Sequence, residues 1–174
     1  KETKTAIERR LLTCYIQTGK RQKALNQLEK SYSDPAKRAA MYEDIMTPYI
    51  KQLMAEGRLH QAEAEIIKVL NNENPSPDIL RMGITTALLL KKNNDAVTLV
   101  EWGRKRYPTD PFFMLKEAQL KAGVGDYEAA LQRLRPMVDE YIGDSVVVGA
   151  YAGCCEAFAM KCMKEKRYDE AMQL

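Results

Sequence analysis

The chain has 174 residues, a length that suits one compact domain or a short array of four to five repeated units. Apolar residues make up 45% of it and charged residues 29%, which allows a continuous core and excludes an intrinsically disordered chain. The formal net charge of +3 is too small to indicate nucleic-acid binding by itself.

Periodic apolar stretches separated by turn residues predict five helical hairpins in chain order. Each hairpin consists of a first helix, a short turn and a second helix. The predicted hairpins cover about 5–33, 35–71, 76–107, 110–142 and 144–174.

Glycine marks the turn of the first two hairpins. In hairpin one, Gly19 follows the apolar stripe of the first helix and occupies a position suited to a positive φ. Gly57 does the same in hairpin two, which opens at Asp34–Pro35 with a capping side chain and a proline at the first helical position. Pro48 lies inside that first helix, where its missing N–H is expected to bend the axis.

The other three hairpins begin with similar signals. Ser76–Pro77 and Asp110–Pro111 each pair a capping side chain with a proline, and Gly143–Ser145 opens a long fifth first helix. Within hairpin three, Gly83 is expected to allow two helices to approach closely. In hairpin four, Gly123–Gly125 predicts a turn about two residues longer than its neighbours.

Five alanines set the period of the chain, and each lies near the start of a predicted second helix. They are Ala24, Ala62, Ala96, Ala130 and Ala171, with spacings of 38, 34, 34 and 41 residues. Helices that cross within about 8–10 Å cannot hold bulky side chains at the crossing. A period near 34 with a small residue at the crossing is therefore typical of stacked helical hairpins.

Four segments around these alanines resemble the turn and second-helix opening of tetratricopeptide repeats (TPRs). They are Gly19–Leu25, Gly57–Ala62, Gly125–Leu131 and Arg167–Ala171. The resemblance implies an all-α fold, a right-handed superhelical solenoid of about five antiparallel helix hairpins that forms one domain over residues 1–174. It implies structural roles for the residues at the turns and crossings, which are Gly19, Ala24, Gly57, Ala62, Gly83, Ala96, Gly125, Ala130 and Ala171. The chain departs from the family pattern at Val69 and Met137, which replace small residues, and in its two long spacings.

The resemblance also implies a function. In TPR arrays the first helices line a concave face that binds partners, so we expect a non-catalytic scaffold or adaptor for a protein or peptide segment. Alignment from the alanines places eight residues on this face, namely Arg9, Thr13, Lys51, Met54, Arg81, Thr85, Phe113 and Glu117. A lining of cations and hydroxyls with few apolar anchors suits an extended peptide or a helix, and an ordinary solvated face is the alternative.

The sequence offers little for catalysis or metal binding. His60 is the only histidine, at the start of a helix rich in Gln and Glu, and is expected on the surface. Cys154 and Cys155 are neighbours and point to different sectors of one helix, which suits neither a disulfide framework nor a tetrahedral metal site. We therefore expect no catalytic residue, no metal and no cofactor. Reduced cysteines favour a reducing compartment such as the cytoplasm.

Two alternatives to the scaffold role stay open: a regulatory helical-repeat domain of a larger enzyme, and a nucleic-acid-binding repeat. The second rests on residues 1–40, which hold ten Lys and Arg against four Asp and Glu. Only two tyrosines lie among these cations, too few for a run of stacking platforms. We also expect exposed apolar ends to allow self-association. No stretch approaches the roughly 18 apolar residues that cross a bilayer, so no membrane span is expected.

Overall fold

The computed structural model describes residues 4–71 and 74–173, and over these residues the chain is all-α, with ten helices and no strand. The helices are α1 (Lys4–Gln17), α2 (Arg21–Ser31), α3 (Pro35–Ala55), α4 (Leu59–Leu70), α5 (Pro77–Leu89), α6 (Asn93–Arg106), α7 (Pro111–Gly123), α8 (Tyr127–Glu140), α9 (Ser145–Lys164) and α10 (Tyr168–Ala171). Leu174, the last residue of the predicted fifth hairpin, lies outside the described residues. The predicted all-α class is confirmed.

One turn geometry recurs between the two helices of each pair. Between α3 and α4, Gly57 has a φ of +72°, its N–H donates to the Met54 carbonyl oxygen at 3.1 Å, and the Arg58 N–H donates to the Leu53 carbonyl oxygen at 2.9 Å. This pair of bonds is a Schellman motif, which satisfies carbonyls at the end of a helix. The same two bonds and a positive φ occur at Gly19, Lys91, Gly125 and Lys166. All five of these residues lie five positions before one of the alanines, so the hairpins share one register.

The turn of hairpin four corrects a prediction. Gly123 is the last residue of α7, and Gly125 alone of the two glycines has a positive φ, of +82°. The turn therefore has the same length as the other four. The extra length predicted for it was wrong because a glycine in the last helical turn cannot be distinguished locally from a turn glycine.

Capping side chains fix where the first helices begin. The Asp34 carboxylate accepts a bond from the Ala36 N–H at 3.0 Å, and the Asp144 carboxylate accepts one from the Val146 N–H at 2.8 Å. The two helices that follow these caps, α3 and α9, have 21 and 20 residues, against 13 in α5 and in α7. Their added length accounts for the two long spacings, and α3 continues through Pro48.

The described chain divides into two compact units, with the boundary between Ala96 and Val97 inside α6. In the first unit, α1 to α5 surround a core built from Leu12, Ala24, Leu28, Ile45, Met46, Ile50, Ile66, Val69, Ile79 and Met82. In the second unit, α7, α8 and α9 surround Leu115, Ala118, Ala130, Leu134, Met137, Val147 and Cys154. That residues 1–174 act as one domain stays a prediction.

The small repeat residues are buried where helices meet. Ala24, Ala62, Ala96 and Ala130 are each 0% exposed, Gly83 is buried, and Ala171 is half-buried. The closest approach described is that of Gly103 on α6, where a Cβ atom would meet the Phe113 ring of α7 at 2.3 Å.

Helix α9 differs from the expectation that no stretch could cross a membrane. Among the described residues it is the one helix long and apolar enough to do so by length and composition. It packs against α8 and α10 and buries Val147, Cys154, Phe158 and Cys162. A packed helix of a water-exposed protein can meet the same criterion, so this is weak evidence for a span.

Candidate partner-binding face

The first helices of the first unit carry a repeated pair of residues. Arg9 and Arg81 each lie 15 residues before the alanine of their hairpin, and Thr13 and Thr85 each lie 11 before it. The Thr13 hydroxyl donates to the Arg9 carbonyl oxygen at 3.0 Å, and the Thr85 hydroxyl donates to the Arg81 carbonyl oxygen at 2.8 Å. The hydroxyl protons are therefore used within the helix, while the oxygens keep the capacity to accept.

In α3 the order of the pair is reversed, with Thr47 fifteen residues and Lys51 eleven residues before Ala62. Each first helix of this unit therefore presents one cation at this register. We call the six residues at these two positions the cation–threonine band: Arg9, Thr13, Thr47, Lys51, Arg81 and Thr85.

The band is accessible to solvent. Arg9, Thr13 and Lys51 are exposed, and Arg81, Thr85 and the predicted apolar anchor Met54 are half-buried. The Arg9 guanidinium lies 5.0 Å from the centre of the Tyr32 ring. The Arg81 Nη1 atom lies 3.1 Å from Asp78 Oδ1, one helical turn earlier, which orients the arginine side chain.

The other two predicted lining residues, Phe113 and Glu117, lie elsewhere. Phe113 is 0% exposed, with its ring against Gly103, so it belongs to the core and cannot line a partner surface. The Glu117 carboxylate is engaged inside the second unit: Arg104 Nε lies 3.2 Å from Oε2 and Arg133 Nε lies 3.4 Å from Oε1. Glu117 thus ties α6, α7 and α8 together.

Phe113 and Glu117 stand two residues out of register. The positions 15 and 11 residues before Ala130 are Leu115 and Gln119, and counting Gly123 as part of the turn produces this offset. Leu115 is buried at 9% exposure, and Gln119 is exposed. Counting back from Ala130 was the sequence signal that would have found Gln119.

The second unit has a shallow groove beside Gln119. It has a volume of about 290 Å³ and lies between α7 and α9, with small residues on its floor, among them Ala118, Ala122, Gly149 and Gly153. A Cβ atom built on Gly149 or on Gly153 would meet no atom within 4 Å. The first-helix face of this unit therefore offers space and few charges.

Residues singled out for chemistry are dispersed. The His60 side chain is 82% exposed, with Nδ1 at 3.9 Å from Glu63 Oε2. All four cysteines are free thiols, and burial raises the pKa of Cys154. Among residues 4–71 and 74–173, no group of three or more His, Cys, Asp or Glu side chains is placed to hold a metal ion.

No protein-family model matches the sequence, and no curated protein matches it either. Similarity is found among solved structures at low sequence identity. YrrB, described as a TPR protein with an unusual peptide-binding site, is 13% identical over 93% of this chain and 78% of its own, with a TM-score of 0.59. A tetratricopeptide repeat protein from Parabacteroides merdae is 14% identical over 97% of this chain and 63% of its own, with a TM-score of 0.58.

A third similar structure is MamA, which is 12% identical over 97% of this chain and 86% of its own, with a TM-score of 0.55. At such identities the likeness concerns the fold and not the ligands. With five hairpins in one register, a small residue at each crossing and these structural neighbours, the chain has a tetratricopeptide-repeat-like fold.

Proposed function

We propose that this chain is a non-catalytic protein–protein interaction scaffold, which takes a segment of a partner protein on the face formed by its first helices. The fold supports the proposal because stacked hairpins present extended surfaces built from many equivalent positions. The neighbour YrrB, described as having a peptide-binding site, supports a peptide partner by analogy.

The observation that carries the proposal is the cation–threonine band. Its cations come from three successive first helices, at Arg9, Lys51 and Arg81. Packed helices lie about 8–10 Å apart, and an extended peptide advances about 3.3 Å per residue. A partner segment that crosses the helices would therefore meet a new first helix about every three residues. Acidic or amide groups at that interval would complement the cations and the threonine oxygens.

A charge-reversal experiment tests the proposal. The double variant Lys51→Glu with Arg81→Glu removes two cations of the band, and Lys23→Glu with Lys30→Glu is its matched control. Lys23 and Lys30 are exposed on α2, a second helix, so the control carries the same change of net charge outside the band.

Each tagged variant is used to capture partners from cells of the source organism, and the captured proteins are quantified against those bound by the unaltered chain. The band variant is expected to lose the partner while its circular dichroism stays helical, and the α2 variant is expected to keep it. Equal capture by both variants would contradict binding on the first-helix face.

Salt dependence separates this role from nucleic-acid binding. Binding driven by phosphates weakens steeply as salt rises, because it releases counterions. We expect a modest salt dependence for a protein partner that meets three cations, and a steep loss of bound nucleic acid with salt would favour the alternative.

A further inference from the structure

Residues at one register position carry the contact between successive hairpins. Seventeen residues before each alanine, hairpins two to five have Ile45, Ile79, Phe113 and Cys154, and all four are buried. Two of them touch the second helix of the preceding hairpin directly. The Phe113 ring lies against Gly103 of α6, and the Cys154 thiol lies 3.8 Å from the Tyr127 carbonyl oxygen of α8.

A second position, 13 residues before the alanine, also contacts the preceding hairpin. Its partner there lies three residues before that hairpin's own alanine. Between hairpins one and two, the Arg21 guanidinium lies 3.3 Å from the centre of the Tyr49 ring. Between hairpins four and five, the Tyr127 and Phe158 rings stack with their centres 5.8 Å apart.

Hairpin one displays the same two positions uncovered. They are Ile7, which is 54% exposed, and Leu11, which is 40% exposed, both on α1. Among the described residues no hairpin precedes α1. Its outer face is therefore apolar where the first helices of the later hairpins are apolar and packed.

Hairpin five displays the other half of the contact. Tyr168 lies three residues before Ala171, as Tyr127 does before Ala130, and it is 57% exposed. Met163 and Met172 stand at the positions of Ala122 and Leu131 in hairpin four, and they are 58% and 78% exposed. In hairpin four the equivalent residues are partly buried and pack against the core of α7, α8 and α9.

We propose that a second copy of this chain joins these two halves, with α1 of one copy docked on α9 and α10 of the other and Leu11 packed on Tyr168. The occupant follows from the register, because the chain carries both sides of the contact by which its own hairpins stack. The two faces differ, so the interface is heterologous, and each copy keeps one face of each kind. This association is separate from partner binding on the cation–threonine band.

Complementation between two variants tests the proposal. The first variant, Ile7→Glu with Leu11→Glu, spoils the α1 face and leaves the α9–α10 face intact. The second, Met163→Glu with Tyr168→Glu, does the reverse. The matched control, Val124→Glu with Ile142→Glu, changes two residues that are 83% and 87% exposed and belong to neither face.

Sedimentation velocity is measured on each protein over a range up to millimolar, with circular dichroism to confirm that each is helical. The unaltered chain and the control are expected to gain mass with concentration, and each face variant alone is expected to stay monomeric. An equimolar mixture of the two face variants is expected to form a species of two chains and nothing larger, since one intact face of each kind remains.

Three results would overturn the proposal: an unaltered chain that is monomeric at millimolar concentration, a face variant that still associates alone, or a mixture of the two variants that stays monomeric. None of these results bears on partner capture by the band, so the two proposals fail separately.

Discussion

Replacing Gly103 by alanine is expected to destabilise the second unit, against the usual effect of this substitution in a helix. Alanine is favoured over glycine inside a helix by about 1 kcal/mol. At Gly103, however, the new Cβ atom would lie 2.3, 2.4 and 2.8 Å from three atoms of the Phe113 ring. Carbon atoms in contact prefer separations of about 3.5–4.0 Å, so α6 and the ring must part by about 1 Å.

The magnitude follows from the position of the ring. Phe113 is 0% exposed and cannot swing into solvent, and it stacks on Tyr107 at 6.0 Å and meets Phe112 edge-on at 5.4 Å. Overpacking of this kind costs about 1–3 kcal/mol, and three close atoms place it in the upper half of that range. After subtraction of the helix propensity, we expect the free energy of unfolding to fall by about 1–2 kcal/mol.

Gly153→Ala is the matched control. Gly153 lies inside α9, in the same compact unit, and its Cβ would meet no atom within 4 Å. This variant is expected to gain up to about 1 kcal/mol. Urea unfolding followed by circular dichroism gives both free energies, and Gly103→Ala with Phe113→Leu should recover part of the loss. If Gly103→Ala and Gly153→Ala stabilise equally, the close packing of α6 on α7 is refuted.

The remaining predictions concern the turns, one buried hydroxyl and acid. Lys91 has a φ of +59° at a turn where Gly57 has +72°, so Lys91→Gly should stabilise by about 0.5–1 kcal/mol and Gly57→Ala should destabilise by about 1 kcal/mol in urea unfolding; opposite signs would contradict the shared turn. Thr86 is 1% exposed and its hydroxyl has no hydrogen-bond partner within the described residues, so Thr86→Val should raise the free energy of unfolding by about 1 kcal/mol, and a loss of that size would show that the hydroxyl is satisfied. Bonds from Arg58 hold the pKa of Glu56 below its ordinary value of 4.5, so this stabilisation is complete above pH 4.5 and is lost as pH falls through the lowered pKa. Thermal melts from pH 6 to pH 3 should therefore show a smaller acid loss for Glu56→Gln than for the unaltered chain, and equal losses would contradict a role for this pair.

The fold could be predicted from the sequence because its determinants are local and repeated. Gly57 and Ala62 lie five residues apart, and a small crossing residue with a turn glycine before it is visible without a structure. The turns at Lys91 and Lys166 were less visible, since lysine gives no local signal for a positive φ. Their geometry is imposed by the packing of the helices on either side.

The site was predicted only in part, because a face depends on register as well as on residue type. The Arg9 and Thr13 pair was found with the correct spacing, and its repetition at Arg81 and Thr85 follows from the period. Phe113 was assigned to the surface through a shift of two residues, although a phenylalanine at the position of buried Ile79 belongs between hairpins. No local pattern distinguishes these two faces of a first helix, since each lies two residues from the other.

The central claim is that all five hairpins share one register, counted from the alanine of each. Backbone scalar and residual dipolar couplings measured by NMR at Lys166 test it most directly, because this turn has no glycine and follows the longest spacing. A positive φ at Lys166, matching the +61° of the structure, is the expected result. A negative φ there, with α9 running on without a turn, would contradict the common register and the equivalences built on it.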